Sequence, residues 1–408
     1  MVANPAEQFV YEICTNSFLS LWSYANPKGP KGQSELCDIL VVCDPNVIIF
    51  SVKNIVFQEH PSYKIAVERW LDRAIRASTK QIYGAERWLA SASQVTKCDG
   101  TPGLFLPKKE IRNVHRVAVA LGGHEKAPLF FGDLGKGFIH VFDETSFGIV
   151  LKELDTISDF TGYLTAKEKL YRSGKELWFG SGEEELLAMY LCYGPAFLDS
   201  EMEEADEVFL DDTLWKGHTE SAEYAAKKQA DKISYMWDDL IEHLARFVVR
   251  DSGGFGKSLN KAEIAVRTMA KEDRFCRRCL AKALDSFLAG TRRPSGRLRS
   301  RLVTSYSGVT YVFLHLRESQ AAKLGLDELA TRCFIALDLV PASSTVVGIQ
   351  FVTNNTSTGL DVQAMYFHAE TLSAAERKRI RIAKKELGYF SKPVKSRIHE
   401  DEYPTDKG

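Results

Sequence analysis

Two apolar runs joined by a short turn constrain this chain more tightly than anything else in it. Leu36 to Cys43 and Val47 to Lys53 flank Asp44-Pro45-Asn46. Runs of that length bounded by turn residues read as two strands of a β-hairpin, over residues 36–43 and 47–53. Their near-continuous Val, Ile, Leu and Phe content implies a sheet covered on both faces. A hairpin folds its far end back toward its start. Lys53 should therefore return beside Glu35 and Asp38.

Two carboxyl groups and an ammonium at one sheet end suit metal-assisted cleavage of a phosphodiester. The ester oxygen is a poor leaving group, and the anionic phosphate repels hydroxide. A divalent cation binds the phosphate, lowers the pKa of a bound water and neutralises the departing oxyanion. Mg2+ takes hard oxygen ligands at about 2.0–2.1 Å and keeps several waters; Mn2+ would serve as well. In this reading Asp38 supplies the central carboxylate and Glu35 an auxiliary one. A backbone carbonyl near Val52 adds a further oxygen. Lys53 orients or deprotonates the attacking water, or stabilises charge on the phosphate.

The surrounding pattern predicts a buried helix over 7–24, stopped by Asn26-Pro27, then a Gly/Lys-rich loop to Ser34. A long helical region over 62–92 follows. It carries Arg73, Arg76 and Lys80, with Arg69 and Arg87, as a basic complement to the acids and a contact for nucleic acid. Strands are expected at 114–121 and 137–142, and helices at 155–171 and 183–192. Together these make one mixed α/β unit, residues 1–198.

This order resembles the PD-(D/E)xK, or restriction-endonuclease-like, nuclease superfamily, whose core is a helix, a hairpin bearing Asp and then Glu-x-Lys, a helix and a further strand. The resemblance spans roughly residues 7–125. It matches Asp38 and Lys53, with Glu12 or Glu7 on the first helix as an accessory acid. Gln81 sits on the following helix, where many members carry a polar helper. The chain departs from the pattern at Ser51, which replaces the acid two residues before the lysine. Glu35 can take over as ligand from the neighbouring strand end, with Ser51 as a weak neutral one. Alternatively, the site is dead and the fold survives as a DNA-binding or scaffold subunit.

Residues 199–212 hold eight acidic side chains, so 199–218 is expected to be an acidic linker. Beyond it the reading is an α+β domain, 219–408, for sensing, DNA contact or oligomerisation. Helices are expected at 219–250, 258–289, 318–331 and 372–387, and strands at 302–316, 332–339, 345–353 and 361–368. Arg292, Arg293, Arg297 and Arg299 crowd a Pro/Gly loop, and Arg377 to Lys385 form a basic helix. Both could neutralise phosphates; a solvated face or a protein contact explains them equally well.

Several signals are better explained without chemistry. Gly253-Gly254-Phe255-Gly256-Lys257-Ser258 ends like a phosphate-binding loop, but Asp251 stands where that loop needs a Gly; a helix-to-helix loop capped by Ser258 is expected. Cys276 and Cys279 lack a second ligand pair, so no zinc site is expected. His140 reads as a packed strand residue, and Asp155 and Asp159 as helix-start acids.

The net charge of −1 leaves nucleic-acid binding to local clusters. No apolar run approaches the ~20 residues a membrane span needs, and the N-terminus does not read as a secretion signal. The scattered cysteines suit a reducing cytoplasm. The expectation is a Mg2+- or Mn2+-dependent endonuclease acting on DNA, the usual substrate of the superfamily. By analogy with the superfamily's two-part nucleases, its partners would be DNA and either another copy or a subunit of a prokaryotic anti-phage or anti-plasmid defence complex.

Overall fold

The computed structural model describes residues 4–29, 34–179, 182–197, 207–251, 257–291, 298–353, 360–371, 373–390 and 399–404. It is a mixed α/β protein whose contacts divide it into two compact units, Met1–Ala225 and Ala226–Gly408.

The first unit begins with α1 (Pro5–Phe18). Asn4 accepts from the Ala6 amide, Pro5 stands where no amide donor is needed, and Glu7 lies in the positive first turn. The helix ends earlier than the apolar pattern suggests. Leu19 turns the chain at φ 68°, and β1 (Ser23–Ala25) runs antiparallel to β2 (Ile39–Cys43). Leu21, Trp22 and Tyr24 are thus buried beside a sheet edge and not on a helix face.

The hairpin forms as read: β2 pairs antiparallel with β3 (Asn46–Asn54), from Ile39↔Phe50 to Cys43↔Asn46. A single helical run follows, made of α2 (Tyr63–Leu71), one wider π turn (Asp72–Arg76) and α3 (Ala77–Leu89). Next come the small ribbon β4 (Gln94–Thr96) and β5 (Pro102–Phe105), then β6 (Asn113–Leu121), β7 (Gly132–Asp133) and β8 (Phe138–Phe142). The main sheet has the order β1-β2-β3-β6-β8-β7, with β3, β6 and β8 parallel. Two helices close this part, α4 (Glu144–Glu153) and α5 (Ile157–Arg172).

Phe50 decides which helices cover which face. It is fully buried and stacks among Phe18 of α1, Phe147 of α4 and Phe160 of α5, with centroids 6.0 to 6.4 Å away. Its strand neighbour Ser51 points the opposite way, toward α3. On that second face Arg116 of β6 pairs with Glu86 of α3, and Trp70 of α2 donates to the Ile55 carbonyl at 2.7 Å.

The expected acidic linker is ordered where it is described, although residues 199–206 lie outside the described part. β9 (Glu176–Phe179) pairs in parallel with β10 (Glu207–Leu210), and α6 (Glu183–Tyr193) and α7 (Leu214–Thr219) flank them. Val208 and Leu210 are buried while Glu207 and Phe209 face out, a strand alternation that the count of acids conceals.

The second unit opens within α8 (Ala222–Asp231) and continues through α9 (Tyr235–Asp251), α10 (Lys257–Ala270) and α11 (Arg274–Thr291). The helix expected over 258–289 is therefore broken, and Asp273 caps its second half by accepting from the Cys276 amide. The Gly253–Gly256 stretch lies outside the described residues. A four-stranded sheet follows in the order β11 (Arg299–Thr304), β12 (Thr310–Arg317), β13 (Thr345–Thr353), β14 (Leu360–His368). The single strand expected over 302–316 is a hairpin turning at Gly308, φ 88°.

Between β12 and β13 lie α12 (Glu318–Leu324) and α13 (Asp327–Leu339), and α14 (Ala374–Leu387) ends the unit. Residues 332–339, expected as a strand, are the second half of α13. The reason is topological: β12 and β13 are parallel, and parallel neighbours need a crossover, usually helical. Leu329, Cys333 and Ala336 form its buried stripe.

No helix among the described residues is long and apolar enough to cross a membrane. Because Phe50 joins three helices to the sheet, Phe50→Ala should cost about 3–5 kcal/mol, measured as a lower urea midpoint with an unchanged slope.

Candidate functional site

Asp38 stands one residue before β2, so the hairpin register carries it toward Ser51 and Val52 near the end of β3. Its side chain keeps 3% exposure. A carboxyl buried that far must find donors inside the protein. Oδ2 accepts from the Val52 amide at 2.5 Å and lies 3.7 Å from Lys53 Nζ. Oδ1 accepts from Gln81 Nε2 at 3.1 Å. Gln81 Oε1 in turn accepts from Ser51 Oγ at 2.7 Å and from Lys53 Nζ at 2.9 Å. One amide side chain on α3 thus holds the acid, the hydroxyl and the ammonium together. Val52 enters through its N–H.

A second group of acids adjoins the first. Asn26 Nδ2 donates to Glu35 Oε2 at 3.1 Å and to Glu7 Oε2 at 3.3 Å, while the Asn26 amide donates to the Asp38 carbonyl at 2.8 Å. Asn26 adopts φ 46°, a left-handed geometry that Asn accepts more readily than most residues. Glu35 is set by a bridge to Lys28. Burial, the hydrogen-bonded Asp38 carboxyl and its charge push Glu35 up to about 7, against the opposing bond from Asn26. Of the two acids considered on α1, Glu7 reaches this cluster, whereas Glu12 accepts from Gln8 at 2.7 Å on exposed surface.

The donor set suits a hard cation. Glu35 and Asp38 offer carboxyl oxygens, and Asn26 Oδ1 is buried without a hydrogen-bond partner among the described residues. Among the described residues no three His, Cys, Asp or Glu side chains are grouped closely enough to hold an ion. A cation here would therefore complete its shell with amide, backbone or water oxygens, as Mg2+ commonly does. Lys53 keeps 30% of its side-chain exposure, so a ligand approaching from solvent meets the ammonium before the buried carboxyl.

Gln81 belongs to the helical run that also carries Arg73, Arg76 and Lys80, all three exposed. Arg76 is partly neutralised by Glu68, at 3.0 Å, and by Asp72. Arg299 is in the other unit, on β11, and donates to the Gly290 carbonyl; Arg292, Arg293 and Arg297 lie outside the described residues. His140 is buried in β8, and desolvation holds it well below the usual histidine range. Asp143 caps α4 through Ser146 and meets His124 at 2.7 Å. Cys276 and Cys279 sit on α11 as free thiols.

Asn26 is the member that sequence reasoning passed over. As Asn26-Pro27 it reads only as a helix stop, and its reach to Glu7 and Glu35 depends on β1 turning beside β2. The chain matches no protein-family model, no curated protein and no solved structure.

Glu35 gives this site a pH signature. With a folded value near 7 against an ordinary 4.5, the folded protein keeps a proton that the unfolded chain releases. Its contribution to stability therefore falls as pH rises from about 4.5 to about 7. Glu35→Gln should remove that slope and raise the thermal midpoint relative to wild type above pH 7. Parallel midpoint-against-pH curves for the two proteins would refute the assignment.

Proposed function

We propose that the first unit is a metal-dependent nuclease of the restriction-endonuclease-like type, cleaving nucleic-acid phosphodiesters, with DNA as substrate. The observation that carries this reading is the meeting of Asp38, Lys53 and Glu35 at one end of the β2–β3 hairpin, with Gln81 bonded to both strand ends. The order of α1, hairpin, helical run and parallel β6 supports it as well.

A bound Mg2+ or Mn2+ would supply an acidified water and neutralise phosphate charge. Asp38 and Glu35 would hold it, with the Ser51 hydroxyl and the Asn26 amide oxygen as the neutral donors at hand. Lys53 carries its ammonium 3.7 Å from Asp38, where it can bind a phosphate oxygen or fix the attacking water. Gln81 is a positioning residue: its Oε1 sets Lys53 and its Nε2 sets Asp38. Exposed Arg73 and Lys80 on the same helical run give a backbone somewhere to lie.

A second reading has its own support. Ser51 stands where the superfamily has an acid, and both Asp38 oxygens accept hydrogen bonds from protein donors. A nuclease fold kept for binding DNA, or as a scaffold in a defence complex, would look the same.

Incubation with linear and supercoiled DNA separates the two. The nuclease reading expects cleavage that requires Mg2+ or Mn2+ and stops with EDTA. Asp38→Ala and Lys53→Ala should each lower it at least about 100-fold, in line with loss of one electrostatic contact to a reacting group. Gln81→Ala should fall less, about 10-fold, by loosening the geometry. DNA retained on the wild-type protein without cleavage under either metal would favour the second reading.

A further inference from the structure

We propose that α14 is a docking surface for the sugar–phosphate backbone of duplex DNA, placing substrate capture in the second unit. The choice of DNA as the polyanion rests on the nuclease reading; the surface itself rests on its own charge and geometry.

The sequence of α14 holds six basic residues, Arg377, Lys378, Arg379, Arg381, Lys384 and Lys385, against two acidic ones, Glu376 and Glu386. A surplus of four positive charges thus sits on one helix of a chain whose net charge is −1. The helix is held firmly. Ser373 and Glu376 close a capping box at its start, Gly388 ends it in the left-handed region at φ 64°, and Ile380 is buried beneath it. Part of its charge is spent on this seating. Lys384 reaches Asp338 of α13 at 2.9 Å, Arg381 lies 3.8 Å from the same acid, and Arg377 donates to the Ala369 carbonyl at 2.6 Å.

The remaining charge faces outward. Lys378, Arg379 and Lys385 are exposed, and Lys378 and Lys385 have no ion pair or hydrogen bond among the described residues. Arg379 lies within electrostatic reach of Glu376. Residues 378 and 385 are two helical turns apart on one side, about 10 Å along the axis. Duplex DNA presents a charge every ~1.7 Å of its axis, so a row of this length spans several phosphates. An anionic membrane fits less well, since the large exposed apolar residues of α14 are Ile382 and Leu387. An interfacial helix needs a continuous apolar face to insert.

The test is fluorescence anisotropy of the full-length protein on a labelled 30-base-pair duplex in EDTA, at several NaCl concentrations. Lys378→Glu, Arg379→Glu and Lys385→Glu combined should weaken binding at least tenfold. The log-affinity against log-salt slope should fall by about 2 to 3, near 0.9 per lost phosphate contact. The matching triple Gln variant should show a smaller loss with an unchanged thermal midpoint, which guards against misfolding. Unchanged affinity and slope in both variants would overturn the proposal, as would no duplex binding by wild type or stronger binding to phosphatidylserine vesicles than to DNA. Metal-dependent cleavage with affinity indifferent to α14 would sink this surface and leave the nuclease reading intact. Affinity that depends on α14 without any cleavage would do the reverse.

Discussion

The hydrogen bond from the Val52 amide to Asp38 Oδ2 ties the start of one strand to the end of the next. Asp38 is nearly buried, and an unpaired carboxyl there would cost several kcal/mol. The hairpin register supplies the amide, and α3 supplies Gln81. A slip of one residue along β3 would turn Ser51 and Lys53 toward the phenylalanine face and leave Asp38 without either partner. Register, helix placement and polar satisfaction are therefore one constraint. It explains why a strand as apolar as β3 carries, one residue before its end, a lysine that stays accessible.

Charge at this point is unbalanced by design of the fold. Glu7, Glu35 and Asp38 lie about one Asn and one Lys, and burial, with the neighbouring Asp38 carboxyl, raises the pKa of Glu35. A protein that needed only stability would place an apolar residue or a second cation there. The arrangement holds negative charge next to a partly exposed ammonium, the feature on which the proposed metal and phosphate contacts rest.

The second unit treats its basic residues in two contrasting ways. On α11, Arg274 and Arg277 are buried against Asp238, while Arg278 pairs with Asp231 and donates to the carbonyls of Asp401 and Glu402. Those guanidinium groups are spent on holding helices and the 399–404 segment together. On α14, a helix capped at both ends, Lys378 and Lys385 are exposed and carry no ion pair among the described residues. Sequence proximity to other arginines does not distinguish the two cases; burial does.

The hairpin, the helical run after it, the existence of a strand near 114–121 and the convergence of Asp38 with Lys53 were legible in the residues, because an apolar run bounded by turn signals leaves the chain little choice of local path; that β6 lies parallel to β3 was not. Glu35 was legible for the same reason, standing just before the first strand, whereas Gln81 came only from the resemblance to the nuclease superfamily. The early end of α1, the helical form of residues 332–339 and the strand inside the acidic segment were not legible. Each is an apolar stretch compatible with helix or strand, and the deciding contact comes from a partner far away in sequence: β2 for Trp22, parallel β13 for Cys333, β9 for Val208. Asn26 joins the acids for that reason too, through a neighbouring strand edge. Local composition thus set which segments were buried, while long-range pairing chose their form and brought the polar atoms within bonding distance.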